Sequence, residues 1–191
     1  MNGRKNWLKK VLGLRKRISL RKTMIQKKIK NEENKPENSA AHNKKQVALT
    51  FDDGPHPHYT QQILETLKKH HAKATFYVLG SRVDFYPNLA KQIVREGHEI
   101  GNHSWSHKDL TTLPPEMIQE EGDQSNEAIE KATGSAPKTV RPPFGASNEE
   151  VMAAIGLPSI LWTVDTMDWK TKNADDILKQ VKENTRDGSS S

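Results

Sequence analysis

Short apolar runs and helix-period segments take turns along most of this chain, and that alternation is what most narrows the folds open to it. Val47 to Phe51 reads as a strand, and "YTQQILETLKKHH", with Ile63, Leu64 and Leu67 on one face, reads as a helix. "KATFYVLG" is the next strand, and Asn88 to Glu96 a helix ended by Gly97. "HEIGNHS" is strand-like, and Pro115 opens a long helix to about Lys131, closed at Thr133-Gly134. "KTVRPP" is a short strand stopped by prolines. "SNEEVMAAIG" places Ser147 as a cap with Glu150 three residues on, a capping box. "SILWTVD" reads as a further strand, and "NADDILKQVKEN" as a last helix capped by Asn173. Strand–helix alternation of this kind predicts an α/β fold with parallel strands, either an open sheet or a barrel.

A chain of 191 residues suits one domain with a tail. Residues 1–30 hold 12 Lys and Arg and no acid, so the net +6 of the whole chain belongs to this arm, and the remainder carries a formal −6. Residues 1–45 therefore read as a basic N-terminal arm and polar linker, and residues 46–191 as the folded domain. In the arm, Trp7, Val11, Leu14, Ile18, Ile25 and Ile29 recur at spacings close to helical. That pattern is open to two readings: a basic amphipathic helix on an anionic membrane surface, or a solvated arm, with Gly13 against a firm helix. Apart from Trp7, no aromatic residue accompanies the charge, so no specific nucleic-acid binding is expected. No stretch has the length of a membrane span, and "WLKKVLGLRKRISL" is too interrupted by charge to be the core of a signal peptide. With no cysteine in the chain, any metal ion must be held by His, Asp or Glu.

The chemistry-bearing residues fall at strand ends. Asp52 and Asp53 follow the first strand, His103 the third, Arg141 the fourth and Asp165 the fifth. Active sites of α/β barrels form at the C-terminal ends of strands. "TFDDGP" could serve as an ordinary Asp-Gly-Pro turn, but two adjacent carboxylates raise each other's pKa unless a cation intervenes. "HSWSH" sets His103 and His107 four apart, a weak signal alone. With a strand-end carboxylate it becomes a two-His, one-carboxylate set with open positions. In "RPPFG", Pro142 and Pro143 fix the backbone and present Arg141, either as a plain surface arginine or as a guanidinium holding a carboxylate. "DTMDW" offers Asp165 and Asp168 beside Trp169, an indole that suits a sugar-binding groove or the core equally well.

"TFDDGP", "HSWSH", "RPPFG" and "DTMDW", in this order, resemble four of the five signature motifs of the polysaccharide deacetylase family (NodB-homology domain, carbohydrate esterase family 4). The resemblance runs from about Gln46 to the C-terminus. It implies a distorted (β/α) barrel that removes N-acetyl groups from peptidoglycan, chitin or a related N-acetylglucosamine polymer, acting at the cell envelope. It also implies that Asp53, His103 and His107 hold Zn²⁺, or Co²⁺ or a similar divalent ion. Asp52 becomes the general base, Arg141 the residue that orients it, and the Phe144 N–H a donor to the oxyanion. Phe144 stands where the family often has Tyr.

The family's fifth motif, a Leu-x-His that supplies a general acid tuned by the equivalent of Asp165, has no counterpart before "NTRDGSSS". The expectation is thus a barrel incomplete at its C-terminal side. The corresponding alternative function is a catalytically impaired, glycan- or metal-binding remnant.

Overall fold

The computed structural model describes residues 45–190. The basic arm with its two readings, and nearly all of the linker, lie outside the described residues. Strands β1 (Val47–Gly54), β2 (Ala74–Val78) and β3 (Glu99–Asn102) are joined by helices: α1 (Tyr59–Lys69), then α2 (Gly80–Phe85) and α3 (Pro87–Arg95). A long helix α4 (Pro115–Thr133) and α5 (Glu149–Ile155) follow, then α6 (Asp168–Thr171), α7 (Ala174–Asn184) and a two-residue strand β4 (Ser189–Ser190). The four strands form one parallel sheet in the order β3-β2-β1-β4. Parallel strands require crossovers, and the helical segments between them supply these.

Beyond β3 the sheet continues through single bridges, Asn102 to Val140 and Val140 to Ser159. On the other side β4 pairs with β1, and the Ser190 carbonyl accepts the N–H groups of Thr163 and Val164. The strands thus wind into a distorted barrel whose wall is two residues long at β4. Of the strands expected at "KTVRPP" and "SILWTVD", only Val140 and Ser159 make bridges. The reason is local: the carbonyls of Ile160 and Leu161 are taken by the Arg141 side chain rather than by a neighbouring strand.

The core has two parts. Leu64 and Leu67 of α1, Phe76 and Val78 of β2, Val83 of α2, Ile93 of α3 and Ile129 of α4 are buried together. Leu110, Ile118, Val140, Val151 and Ile155 form the second cluster. The helix at Tyr59–Lys69 follows from the Ile63, Leu64, Leu67 stripe, and α4 opens at Pro115 and ends on Gly134 in the left-handed region, φ 81°. Asn173 caps α7 through the N–H groups of Asp175 and Asp176, as its position before the acidic turn predicts. For α5 the cap is Asn148, not Ser147: its carboxamide oxygen accepts the Val151 N–H. Helix α2 has no counterpart in the sequence reading, because six residues are too few for a period to show.

His98 is buried against this core, with its Nδ1 accepting the Ala74 N–H at 3.3 Å. Burial, with Lys73 adding to it, holds the His98 pKa below its ordinary value and keeps the ring neutral. A group that binds fewer protons folded than unfolded loses stability as the pH falls through the ordinary imidazole range. Chemical denaturation between pH 8 and pH 5 should therefore show a decline at the acid end, bounded at about 1.4 kcal/mol per pH unit for one proton. The decline should shrink in His98→Gln; an unchanged slope in that variant would exclude His98 as its source.

Candidate metal centre and active site

The two adjacent aspartates are separated by a fault in the strand. β1 pairs with β2 from Leu49 to Asp52, the register shifts between Asp52 and Gly54, and Asp53 takes φ 65°. A bulge of this kind re-aims side chains at the end of a ladder. Asp53 turns towards the histidines, and Asp52 turns towards Arg141. A left-handed residue that is not glycine costs roughly 1–2 kcal/mol. Asp53, His107 and Phe144 all adopt positive φ, so the strain gathers where the functional groups meet.

His103 follows β3 directly. Its backbone N–H donates to Val78 and its ring Nδ1 donates to the Arg141 carbonyl at 2.6 Å. With Nδ1 carrying the proton, the lone pair lies on Nε2, which faces Asp53 Oδ1 at 3.4 Å. His107 reaches the same oxygen from a tight loop, Nε2 to Oδ1 3.3 Å. The four-residue spacing therefore works through a loop, not along a helix face. One ligand atom from each of Asp53, His103 and His107 lies within 4.8 Å of the others. The donor chemistry, two imidazoles and one carboxylate oxygen, is that of a divalent-cation site with positions left for water. Side-chain exposure is 59% for Asp53 but 3% for His103, so the cluster opens to solvent on the carboxylate side. The neighbouring His103 ring is the main cause that holds the Asp53 carboxyl below its ordinary pKa, against the effect of burial, with His107 adding to it.

Arg141 is the most enclosed polar side chain of the site, 2% exposed. Its Nε donates to the Ile160 carbonyl, one terminal nitrogen to both Thr50 Oγ1 and Asp52 Oδ1 (2.8 and 2.7 Å), and the other to the Leu161 carbonyl. The Tyr77 ring lies 4.2 Å from the guanidinium carbon, and Trp162 lies on it at 5.6 Å. Gly101 makes that possible: a Cβ there would run into the Tyr77 ring. Burial pushes the Asp52 pKa up, offset in part by His103 and Arg141. Carboxylate and guanidinium are held at ion-pair distance, the guanidinium enclosed and the carboxylate 30% exposed.

Phe144 sits in the turn Pro143–Gly145, its ring 66% exposed and edge-on to His107 at 4.7 Å. Its backbone N–H donates to no acceptor among the described residues. Asp165 and Trp169 are placed differently. The Asp165 carboxylate accepts the Met167 N–H, and no hydrogen bond or ion pair among the described residues links it to the cluster. Trp169, on α6, is 67% exposed, so it is not core. Thr50, Tyr77 and Trp162 escaped the sequence reading, since each meets the site through a contact with Arg141, which is distant in the chain.

Parallel strands wound with helices, bearing an Asp/His/His cluster at their ends, define an α/β-barrel protein built around a potential cation site. Comparison with known proteins makes the assignment specific. The sequence profile described as "Polysaccharide deacetylase" matches residues 39–160, and the chain belongs to that family. It is 46% identical over 153 residues to the peptidoglycan-N-acetylglucosamine deacetylase PgdA of Listeria monocytogenes serotype 1/2a (strain 10403S), covering 80% of this chain and 33% of that protein. The peptidoglycan deacetylase PdaC from Bacillus subtilis superposes with a TM-score of 0.76 at 44% identity, over 78% of this chain and 73% of the solved one. A structure described as a CE4 family pseudoenzyme from Bacillus anthracis, BA3943, gives 0.73 at 37% identity, over 78% and 54%. The chain spans about a third of the length of the first curated relatives it matches. Among the described residues, no helix is long and apolar enough to cross a membrane.

Proposed function

We propose that this chain carries a metal-dependent N-deacetylase centre that hydrolyses N-acetyl groups of an N-acetylglucosamine-containing polysaccharide, peptidoglycan or chitin-like, and releases acetate. The observation that carries the reading is the junction of two units. An Asp53/His103/His107 cluster and an Arg141-held Asp52 meet at one strand end, and the His103 ring is bonded to Arg141 itself. The names of the relatives, peptidoglycan and chitooligosaccharide deacetylases, support the substrate class.

Asp53, His103 and His107 would hold Zn²⁺, or Co²⁺ in its place; such an ion supplies a Lewis acid for the acetamide carbonyl and acidifies water. Asp52 accepts the proton of the attacking water as the C–O bond forms, with Arg141 keeping its carboxylate in line. The N–H of Phe144, whose ring meets His107, would donate to the oxygen on which negative charge develops. As the C–N bond breaks, the proton that Asp52 took from the water would pass to the departing amine, leaving a free amino group and acetate. Trp169 stands exposed as a surface for a sugar ring. The basic residues of the arm would add attraction to an anionic membrane or wall polymer at the cell envelope.

One observation favours a second reading, a site that binds glycan or metal without turning over. Asp165 accepts only the Met167 N–H, so among the described residues no imidazole is placed by it as proton donor. Likeness to a pseudoenzyme fits that reading too.

Acetate release from N-acetylglucosamine oligomers and from peptidoglycan, measured after chelation and after adding back Zn²⁺ or Co²⁺, separates the two. Release that needs the ion supports catalysis, whereas stoichiometric ion binding without release supports the second reading. No ion binding at all rejects catalysis and leaves the second reading to stand on glycan binding alone. Where release is found, Asp52→Asn should lower kcat by about 10²–10⁴-fold, the range for a general base, while leaving cation affinity within a fewfold. Activity that survives Asp52→Asn would remove Asp52 from that role.

A further inference from the structure

The loop that carries His107 is held in an unusual way. Four consecutive backbone N–H groups, Ser104 to His107, all donate to side chains and none to a backbone carbonyl. Ser104 N–H goes to Asn102 Oδ1, Trp105 and Ser106 N–H both to Glu121 Oε2, and His107 N–H to Ser104 Oγ. Two of the four residues, Ser104 and His107, sit at φ 68° and 62°. The Gly80 and Ser81 N–H groups hold the Ser104 and Trp105 carbonyls, but the loop's own N–H groups, in a segment strained at both ends, depend on those side-chain acceptors.

Glu121 is the acceptor that comes from a helix, α4, and it is 6% exposed. Besides the two N–H groups at 3.0 and 2.8 Å, it accepts the Ser106 hydroxyl at 2.6 Å and faces the Lys108 ammonium at 3.2 Å. Burial raises its pKa, but the bonds from Ser106 and Lys108 outweigh burial and keep it ionised. The neighbouring turn of α4 clamps the other end of the loop. Asn102 donates to the Gly122 carbonyl and to Asn126 Oδ1.

We propose that Glu121 is a positioning residue for the metal centre: by gathering the Trp105 and Ser106 N–H groups, it sets the turn that aims His107 at Asp53. It touches none of the three ligands. This inference rests on the metal-centre reading, and goes beyond it by naming a determinant on the far side of the loop.

The test is Zn²⁺ and Co²⁺ titration of the full chain, by calorimetry and by the visible absorption of bound Co²⁺, with circular dichroism to certify the fold. Glu121→Ala should weaken cation affinity by up to about 10-fold, the low end of what losing a direct partner of a ligand costs, and should alter the Co²⁺ bands. Glu121→Gln keeps one oxygen for the two N–H groups and should recover most of the affinity and the parent spectrum. Should Glu121→Ala fail to fold, Ser106→Ala removes one bond alone; it should weaken binding in the Glu121 background and have less effect in Glu121→Gln. Folded Glu121→Ala with parent affinity and spectrum would overturn the proposal, as would equal effects of Ser106→Ala in both backgrounds. If the parent chain binds no cation, the metal-centre reading itself fails, and this inference with it.

Discussion

Replacing Asp53 by asparagine is expected to leave the chain folded and unable to hold a divalent cation tightly. The side chain is 59% exposed and lies in a bulge, so little packing depends on it. Asparagine tolerates the left-handed backbone at φ 65° as well as aspartate does. What is lost is the one negative ligand, leaving two neutral imidazoles, one of them tethered to the Arg141 carbonyl. Since losing an outer partner of a ligand already costs about 10–100-fold in affinity, losing this ligand should cost at least two orders of magnitude. Calorimetric titration with Zn²⁺ measures it directly. Unchanged affinity would mean that the cation sits elsewhere, and the proposed mechanism would fall with it.

Arg141→Met should have the largest effect on stability. Methionine keeps an apolar stem but takes the Arg141 donors away from Asp52, Thr50 and two backbone carbonyls. Breaking a fully buried ion pair from one side costs about 3–5 kcal/mol, and with Asp52 30% exposed the lower figure applies. At roughly 2–4 °C per kcal/mol for a domain of this size, the midpoint should fall by about 6–12 °C in a calorimetric scan. Arg141→Lys should recover little of this, because one ammonium cannot reach acceptors spread around a planar fork. Cation affinity should persist wherever the variant is folded, since His103 is oriented by the backbone carbonyl of residue 141, which substitution keeps. A methionine variant as stable as the parent would show that the guanidinium bonds contribute nothing net.

Strand and helix order, and the cluster of Asp53, His103 and His107, could be read from local sequence because each leaves a local mark. An apolar run, a proline, a doubled aspartate and a spaced histidine pair are visible without the fold. The bulge that splits Asp52 from Asp53 was not visible, since it depends on the pairing of β1 with β2. "SILWTVD" looked like a strand by composition, but Arg141 competes for its carbonyls from 19 and 20 residues away. Glu121 carried no signal at all. On a helix rich in acids it resembles any solvated carboxylate, and only docking of α4 against the loop distinguishes it.

The way Arg141 gathers its partners bears on the order in which the protein can come together during synthesis. The His103–His107 loop and the Arg141–Ile160 bond join near neighbours in the chain, whereas Asp52 must wait for a residue 89 positions later. Lengthening a closure from 19 to 89 residues adds about 1.4 kcal/mol of lost chain entropy. The bond from Gln46 N–H to Asp187 spans 141 positions. A chain emerging from the ribosome thus has β1 in hand first and its closing contacts last. In that interval the Asp52 carboxylate and the β4-facing edge of β1 are exposed to water and to other nascent chains.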